Sequence, residues 1–293
     1  HLPLLKSDIN GTEYEISLEG FMGGHSGVSI DKGRANPNHL MGRLLYALKE
    51  DIRLLSVNGG LKDNAIPRSS KAVLVIPGNE TDTGLEKKIE MLFSKIKDEY
   101  RTTDPSIECR VKECGRYSGA AFDKRSTEDC IRLLYTLPNG IIRMSPHING
   151  LPQTSLNLGV LKTEENEVIY GFALRSSVSS EKEELVNRLL CITESAGGHI
   201  TLSGDYPAWE YREDSPLRDT MLEVYKEMTG EEAVVTVIHA GLECGIFSAG
   251  IKDLECISIG PEMKNIHTPK ESLDTASAER TWRFLLKVLE RLK

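Results

Sequence analysis

The order of hydrophobic patterns in residues 13–111 constrains the fold more strongly than any other feature of the sequence. Tyr14, Ile16 and Leu18 alternate with polar residues, which is the period-2 pattern of a half-buried strand. The patterns predict a strand at 13–19, a helix at 37–48, strands at 52–58 and 71–76, a helix at 85–100 and a strand at 107–111. This order is typical of a ferredoxin-like split βαβ arrangement, an α+β layer with helices on one face.

Residues 107–204 are predicted to extend the same layer. The patterns there predict a helix capped by Ser126 or Thr127 and running to about Thr136, strands at 154–162 and 167–174, a helix through Leu185 and Leu189, and a strand at 199–203. The sequence therefore predicts one extended α+β domain over residues 1–205.

A change in composition at 204–209 indicates the boundary between this domain and a second domain at 206–293. The predicted order beyond it is a helix near 217–228, a strand at 233–238, a turn at 239–245, a strand that ends before His267, and a last helix with Trp282 and Leu285 on its apolar stripe. These elements form about half of a typical α/β sheet. We therefore expect the C-terminal part of an α/β domain, with apolar stripes that are exposed or paired with a further segment.

Charge and composition exclude several classes of protein. The formal net charge of −8 and the sequence pI near 5.5 argue against a nucleic-acid surface. No apolar run approaches the ~18 residues of a membrane helix. The six cysteines show no paired C-x-x-C spacing, which indicates reduced thiols in the cytoplasm. The chain begins at His1 without a signal-peptide pattern, and we expect it to be a fragment.

Four polar side chains follow predicted strands or lie in loops next to glycine: His25, Asn64, Arg175 and His267. A guanidinium can hold a carboxylate in a bidentate pair, an amide or imidazole can donate to an oxyanion, and an imidazole can bind zinc. Such a set suits hydrolysis of a small anionic substrate. For Arg175 a surface position at the start of a helix is an equal alternative, and for Asn64 a role in stabilising its own loop. The chain has no H-E-x-x-H and no H-x-D, so one histidine alone cannot form a metal centre.

Several stretches, taken together and in order, resemble the aminoacyl-histidine dipeptidases. This family, also called peptidase D or bacterial carnosinase, lies within the two-zinc aminoacylase and carboxypeptidase superfamily. The stretches are Gly23-Gly24-His25-Ser26-Gly27 with residues 31–36, Asn64-Ala65-Ile66-Pro67-Arg68, Thr154-Ser155-Leu156-Asn157-Leu158-Gly159, Arg175-Ser176-Ser177, residues 239–245, and residues 260–267.

The resemblance implies a zinc metallo-dipeptidase with a lid at residues 1–205 and the C-terminal portion of the catalytic α/β domain at 206–293. It implies that His267 is a zinc ligand and that His25 is the catalytic lid group that polarises the scissile carbonyl. Asn64 and Arg175 would hold the substrate carboxylate or the same oxyanion.

The turn at 239–245 would line the substrate pocket with His239, Gly241 and Glu243. In the family the first half of the catalytic domain carries the remaining ligands, an H-x-D motif, a bridging aspartate, a Glu-Glu pair and a further acidic ligand, and we expect that half to be missing from this sequence. The Glu-Glu pairs at 164–165, 183–184 and 231–232 are interpreted as solvated surface residues.

The expected function is hydrolysis of Xaa-His dipeptides in the cytoplasm. The expected cofactor is a pair of zinc ions, and other divalent metals are an alternative. The 293 residues alone are expected not to hydrolyse a dipeptide, because an N-terminal catalytic segment would be needed as a partner. A homodimer is left open. The alternatives are a non-catalytic module for peptide binding or dimerisation, and another peptidase or amidohydrolase of the same superfamily.

Overall fold

The computed structural model describes residues 1–78, 84–236, 243–264 and 270–293. The chain divides into two compact units, the first containing His1–Asp205 and the second the described residues from Tyr206 onward. Within the described part of the chain, no helix is long and apolar enough to cross a membrane.

The first unit contains a sheet of eight antiparallel strands, a two-stranded sheet, four α-helices and a short 3-10 helix (Ile30–Lys32) among its described residues. Its strands are β1 (Leu2–Pro3), β2 (Lys6–Glu19), β3 (Gly24–His25), β4 (Arg53–Gly59), β5 (Ala65–Ile66), β6 (Ser70–Pro77), β7 (Glu108–Phe122), β8 (Gly140–Met144), β9 (Pro152–Thr163) and β10 (Glu167–Ser176). Its helices are α1 (Pro37–Tyr46), α2 (Leu85–Glu99), α3 (Lys124–Thr136) and α4 (Ser179–Ser195). The large sheet has the order β1-β10-β9-β4-β6-β2-β7, with β8 paired to β9, and β3 pairs with β5.

The expected α+β layer is confirmed, and its buried face can be followed along β2. Tyr14, Ile16 and Leu18 are buried in a hydrophobic cluster that also includes residues of all four helices. Glu15 lies on the opposite face, where its carboxylate pairs with the Lys71 ammonium at 3.1 Å. The helices therefore cover one face of the sheet and the other remains polar.

The prediction that residues 107–204 continue the layer is also confirmed, because β9 joins the first half of the sheet at β4. Gly59 and Leu161 are opposite each other in the two strands. The Val57 N–H donates to the Thr163 hydroxyl at 2.8 Å, and the Thr163 N–H donates to the Asn58 side chain at 2.9 Å. We call this contact the β4–β9 junction.

The cap predicted for α3 was wrong. Asp123 is the cap, and its carboxylate accepts from the Ser126 N–H at 2.7 Å. The Ser126 hydroxyl instead accepts from the Leu5 N–H at 2.9 Å, and the Thr127 hydroxyl accepts from the Leu54 N–H at 3.2 Å. The two hydroxyl side chains therefore attach the helix to neighbouring chain segments instead of beginning it.

The strand predicted at 199–203 is not formed. The first residue of this stretch contacts the N-terminal residue of the chain. The His199 N–H donates to the His1 carbonyl at 3.0 Å, and the two imidazole rings stack with their centroids 4.8 Å apart. Leu202 is exposed. An apolar alternation without a neighbouring strand leaves backbone groups unpaired, so it does not produce a strand.

The second unit contains α5 (Pro216–Thr229), α6 (Glu243–Gly250), β11 (Met263–Lys264), β12 (Ser272–Leu273) and α7 (Thr275–Arg291). The strand predicted at 233–238 is absent from residues 233–236, and its last two residues lie outside the described ranges. The strand predicted before His267 is absent from residues 254–260. Among the described residues of this unit the only strands are β11 and β12, which pair with each other antiparallel. The predicted half of an α/β sheet is therefore not seen in them.

Helices α5 and α7 pack against each other. The Tyr225 and Phe284 rings meet edge to face at 5.9 Å, and Arg291 pairs with Glu227 at 2.6 Å. Trp282 and Leu289 on α7 are nevertheless exposed, 59% and 51% respectively. The apolar surface expected for this part of the chain is therefore present.

Candidate functional site

Two loops of the first unit are joined by the short strand pair β3–β5. His25 in β3 is opposite Ala65 in β5, and the Ser26 N–H donates to the Asn64 carbonyl at 2.9 Å. The His25 and Asn64 side chains are both exposed. Two polar groups from loops about forty residues apart in the sequence are therefore brought next to each other by backbone pairing.

The His25 imidazole is held in one tautomer by its own turn. The Gly27 N–H donates to Nδ1 of His25 at 3.2 Å. A backbone N–H can only donate, so Nδ1 is the acceptor and the neutral ring carries its proton on Nε2. Partial desolvation of the ring lowers the pKa of His25, and the positive charge of Arg175 lowers it further. The ring is therefore a neutral N–H donor near pH 7.

Arg175 lies near the end of β10, opposite Ser155 in β9. Its Nε is buried and has no hydrogen-bond partner among the described residues. Burial lowers the pKa of the guanidinium, while the negative charge of Asp63 opposes this effect. The group is a cation at neutral pH with an unused donor, which an anionic ligand would satisfy.

The loop that carries Asp63 and Asn64 is fixed to β9 by one buried amide. The Asn157 side chain donates to the Asp63 carbonyl at 2.7 Å and to the Ala65 carbonyl at 2.9 Å. A Cβ at Gly159 would lie 2.3 Å from the Asp63 carbonyl oxygen, so the loop needs a glycine there to pack this closely. The sequence analysis included Asn157 in one of the motifs but predicted no role for it. Asp63 was not predicted, although it directly precedes Asn64.

The structure brings together three of the residues selected from the sequence, His25, Asn64 and Arg175, since His25 is in the field of Arg175 and next to Asn64. Their roles remain predictions. Glu243 is the first residue of α6 in the second unit and is exposed. The three other selected residues, His239, Gly241 and His267, lie outside the described ranges.

A zinc site was predicted at His267, which lies outside the described residues. Within residues 1–78, 84–236, 243–264 and 270–293, no three side chains of His, Cys, Asp or Glu are grouped so that they could hold a metal ion. The described residues therefore do not by themselves fit a metal centre, and the chemistry considered below is that of His25, Asn64 and Arg175.

The His25 imidazole is expected to titrate with a midpoint below the ordinary value of 6.5, and Arg175→Gln is expected to raise that midpoint. The reason is that removing a nearby cation makes protonation easier. Because the pKa of His25 is lowered in the folded unmodified chain, the folded chain binds fewer protons than the unfolded chain near pH 6. The stability contributed by this group is therefore complete above pH 6.5 and falls as the pH falls through 6.5. Following the ring Cε1–H signal by NMR against pH tests this, and a midpoint at or above 6.5 would contradict it.

Comparison with known proteins adds the following. Residues 16–104 match the M20 peptidase dimerisation domain. The chain is 32% identical over 281 residues to the cytosol non-specific dipeptidase of Escherichia coli K12, covering 95% of this chain and 58% of that protein. It superposes on the crystal structure of aminoacylhistidine dipeptidase from Vibrio alginolyticus with a TM-score of 0.88 and 30% identity, covering 99% of this chain and 62% of the other.

The chain thus spans about three fifths of the length of these two relatives. Its M20 match begins within β2 and ends before β7, so it takes in β3–β6, α1 and α2, and therefore includes His25 and Asn64 but not Arg175. Residues 16–104 are thus similar to the M20 peptidase dimerisation domain, and the whole chain is similar to part of these two dipeptidases.

Proposed function

We propose that this chain takes part in the hydrolysis of dipeptides, preferentially Xaa-His dipeptides, and that its first unit supplies the groups that hold the substrate. The observation that carries the proposal is the half-buried Arg175 side chain, whose buried Nε is an unused donor, beside a neutral His25. The names of the two relatives, both dipeptidases, support the substrate class.

Arg175 is proposed to bind the terminal carboxylate of the dipeptide. A guanidinium can form two parallel hydrogen bonds to a carboxylate, and the pair gains strength where water is partly excluded. In a dipeptide this carboxylate is separated from the scissile carbonyl by only a few covalent bonds. A group that holds the carboxylate therefore also places the scissile carbonyl close to the neighbouring donors.

His25 is proposed to donate its Nε2–H to the scissile carbonyl oxygen. The tautomer set by Gly27 directs the proton to Nε2, and a neutral N–H donor that is already oriented stabilises the negative charge that develops on the oxygen. The Asn64 side-chain amide is a second donor for the same oxygen or for the carboxylate. These interactions grow stronger as the carbonyl becomes an oxyanion, so they favour the transition state over the bound substrate.

The proposal includes two zinc ions, or other divalent metals, with His267 as a ligand and His239, Gly241 and Glu243 in the pocket. A bound zinc ion would supply an activated water. No step above depends on the ion, since His267 lies outside the described residues. We further propose a cytoplasmic location, in keeping with the name of the E. coli relative, and assembly as a homodimer, in keeping with the name of the matched domain.

The 293-residue chain supplied with Zn²⁺ and an Xaa-His dipeptide is expected to bind the dipeptide without appreciable turnover. A catalytic zinc needs about three protein ligands, and our proposal gives this chain one. A coupled assay for released histidine measures the rate, with His267→Ala as the matched variant. If the unmodified chain hydrolyses the dipeptide and His267→Ala does not, the proposal that this chain supplies only one zinc ligand is wrong. The same result would support dipeptidase activity.

A further inference from the structure

One buried carboxylate closes both ends of the loop that carries His25. The Asp104 Oδ1 accepts from the Met22 N–H at 2.8 Å, and its Oδ2 accepts from the Ala35 N–H at 2.9 Å. His25 and its turn lie between these two positions. We call this pair of hydrogen bonds the Asp104 clamp.

Asp104 is itself firmly held. Its side chain is fully buried, and its own N–H donates to the Tyr100 carbonyl at 2.8 Å just after α2. None of the ion pairs between described residues includes Asp104, so the two backbone N–H groups are what compensate its buried charge. Hydrogen bonds from neutral donors to a buried carboxylate are about twice as strong as neutral pairs.

The loop needs such a clamp because its own backbone is permissive. Gly23 and Gly24 follow Met22 directly and have φ of 61° and 142°, a region that other residues rarely adopt. Within the loop, Arg34 donates to the Gly23 carbonyl and so folds the two halves together. With both ends fixed to one rigid group, Asp104 restricts the movement of the loop, while the β3–β5 pairing holds His25 next to Asn64.

We propose that Asp104 is a positioning residue for His25, acting through the ends of the loop and not by contact with substrate. That the loop matters for catalysis rests on the proposed function, but the clamp itself does not. Asparagine is nearly the same size as aspartate, yet it offers only one acceptor and places an N–H₂ group against a backbone N–H. Asp104→Asn should therefore release one end of the loop.

The experiment compares Asp104→Asn with Asp129→Asn in the 293-residue chain. Asp129 is a matched control because it is also buried and lies on α3, where it pairs with Arg125 and Arg132. Amide hydrogen exchange of residues 22–35 and the NMR titration of the His25 ring are measured in both. Asp104→Asn is expected to speed exchange at Met22 or Ala35 by about 10- to 100-fold and to raise the His25 midpoint. Asp129→Asn is expected to change neither.

Equal exchange in residues 22–35 and an unchanged His25 titration in Asp104→Asn would overturn the proposal, whatever its effect on thermal stability. If Asp104→Asn does not fold, the unmodified chain decides: the Met22 and Ala35 amides must exchange as slowly as those of β2, and fast exchange at either overturns the clamp. A dipeptide that fails to bind while the clamp is intact contradicts the proposed function alone.

Discussion

Replacing Arg175 with glutamine is expected to weaken binding of an Xaa-His dipeptide to the chain by about 10- to 100-fold. The reason is that glutamine keeps a donor but removes the charge, so one charge-assisted pair with the carboxylate is lost. Titration of the dipeptide into the 293-residue chain, followed by NMR or calorimetry, gives the two dissociation constants.

A matched control is Arg188→Gln, since Arg188 is partly exposed on α4 and pairs with Glu184 at 2.7 Å. A second control is chemical: a dipeptide with an amidated C-terminus should bind the unmodified chain about as weakly as the free acid binds Arg175→Gln. The two losses should not add, because they remove the two sides of one interaction. Equal affinity in Arg175→Gln and Arg188→Gln would show that the carboxylate is held elsewhere.

Replacing Asn157 with leucine is expected to lower the free energy of unfolding by about 2–4 kcal/mol and to loosen the loop before β5. Leucine has a similar volume but leaves the Asp63 and Ala65 carbonyls without the donors they have at 2.7 and 2.9 Å. Because Ala65 pairs with His25, the β3–β5 contact should weaken as well. Thermal unfolding by calorimetry measures the first effect, and amide exchange at 60–66 the second.

The matched variant is Asn187→Leu, which changes an exposed asparagine on α4 and should alter stability by less than about 0.5 kcal/mol. A loss in Asn157→Leu that is spread over the whole sheet, with no excess at 60–66, would contradict the view that this amide serves the loop.

The elements predicted from hydrophobic alternation and helical stripes in residues 13–111 are largely found, because their side chains pack on a buried face that the sequence pattern records. β7 is the informative exception. The pattern predicted only 107–111, but the strand continues to Phe122 along the whole of β2. From Lys112 to Ser118 neither of its faces is fully buried, so no alternation marks the strand.

The site was predictable where a residue stands next to a recognisable turn, as for His25 between glycines. Asp104 could not be found in this way. Its two acceptor contacts join positions 82 and 69 residues away in the chain, and nothing in the local sequence distinguishes it from a surface aspartate. The prediction of a strand at 233–238 was wrong for residues 233–236 for a related reason, which is that strand formation depends on a distant partner. Val234 and Val235 are residue types common in strands, but both are exposed and no described strand pairs with them.

The β4–β9 junction has a consequence for how copies of this chain can associate. An open strand edge is a template for another chain, but the edge of β4 is occupied by β9 of the same molecule through Gly59 and the Thr163 contacts. A long edge does remain at the other end of the sheet, where no described strand pairs with the outer side of β7. A second molecule that extended the sheet along β7 would have to accommodate the charges of Arg110, Lys112 and Arg116 on that strand.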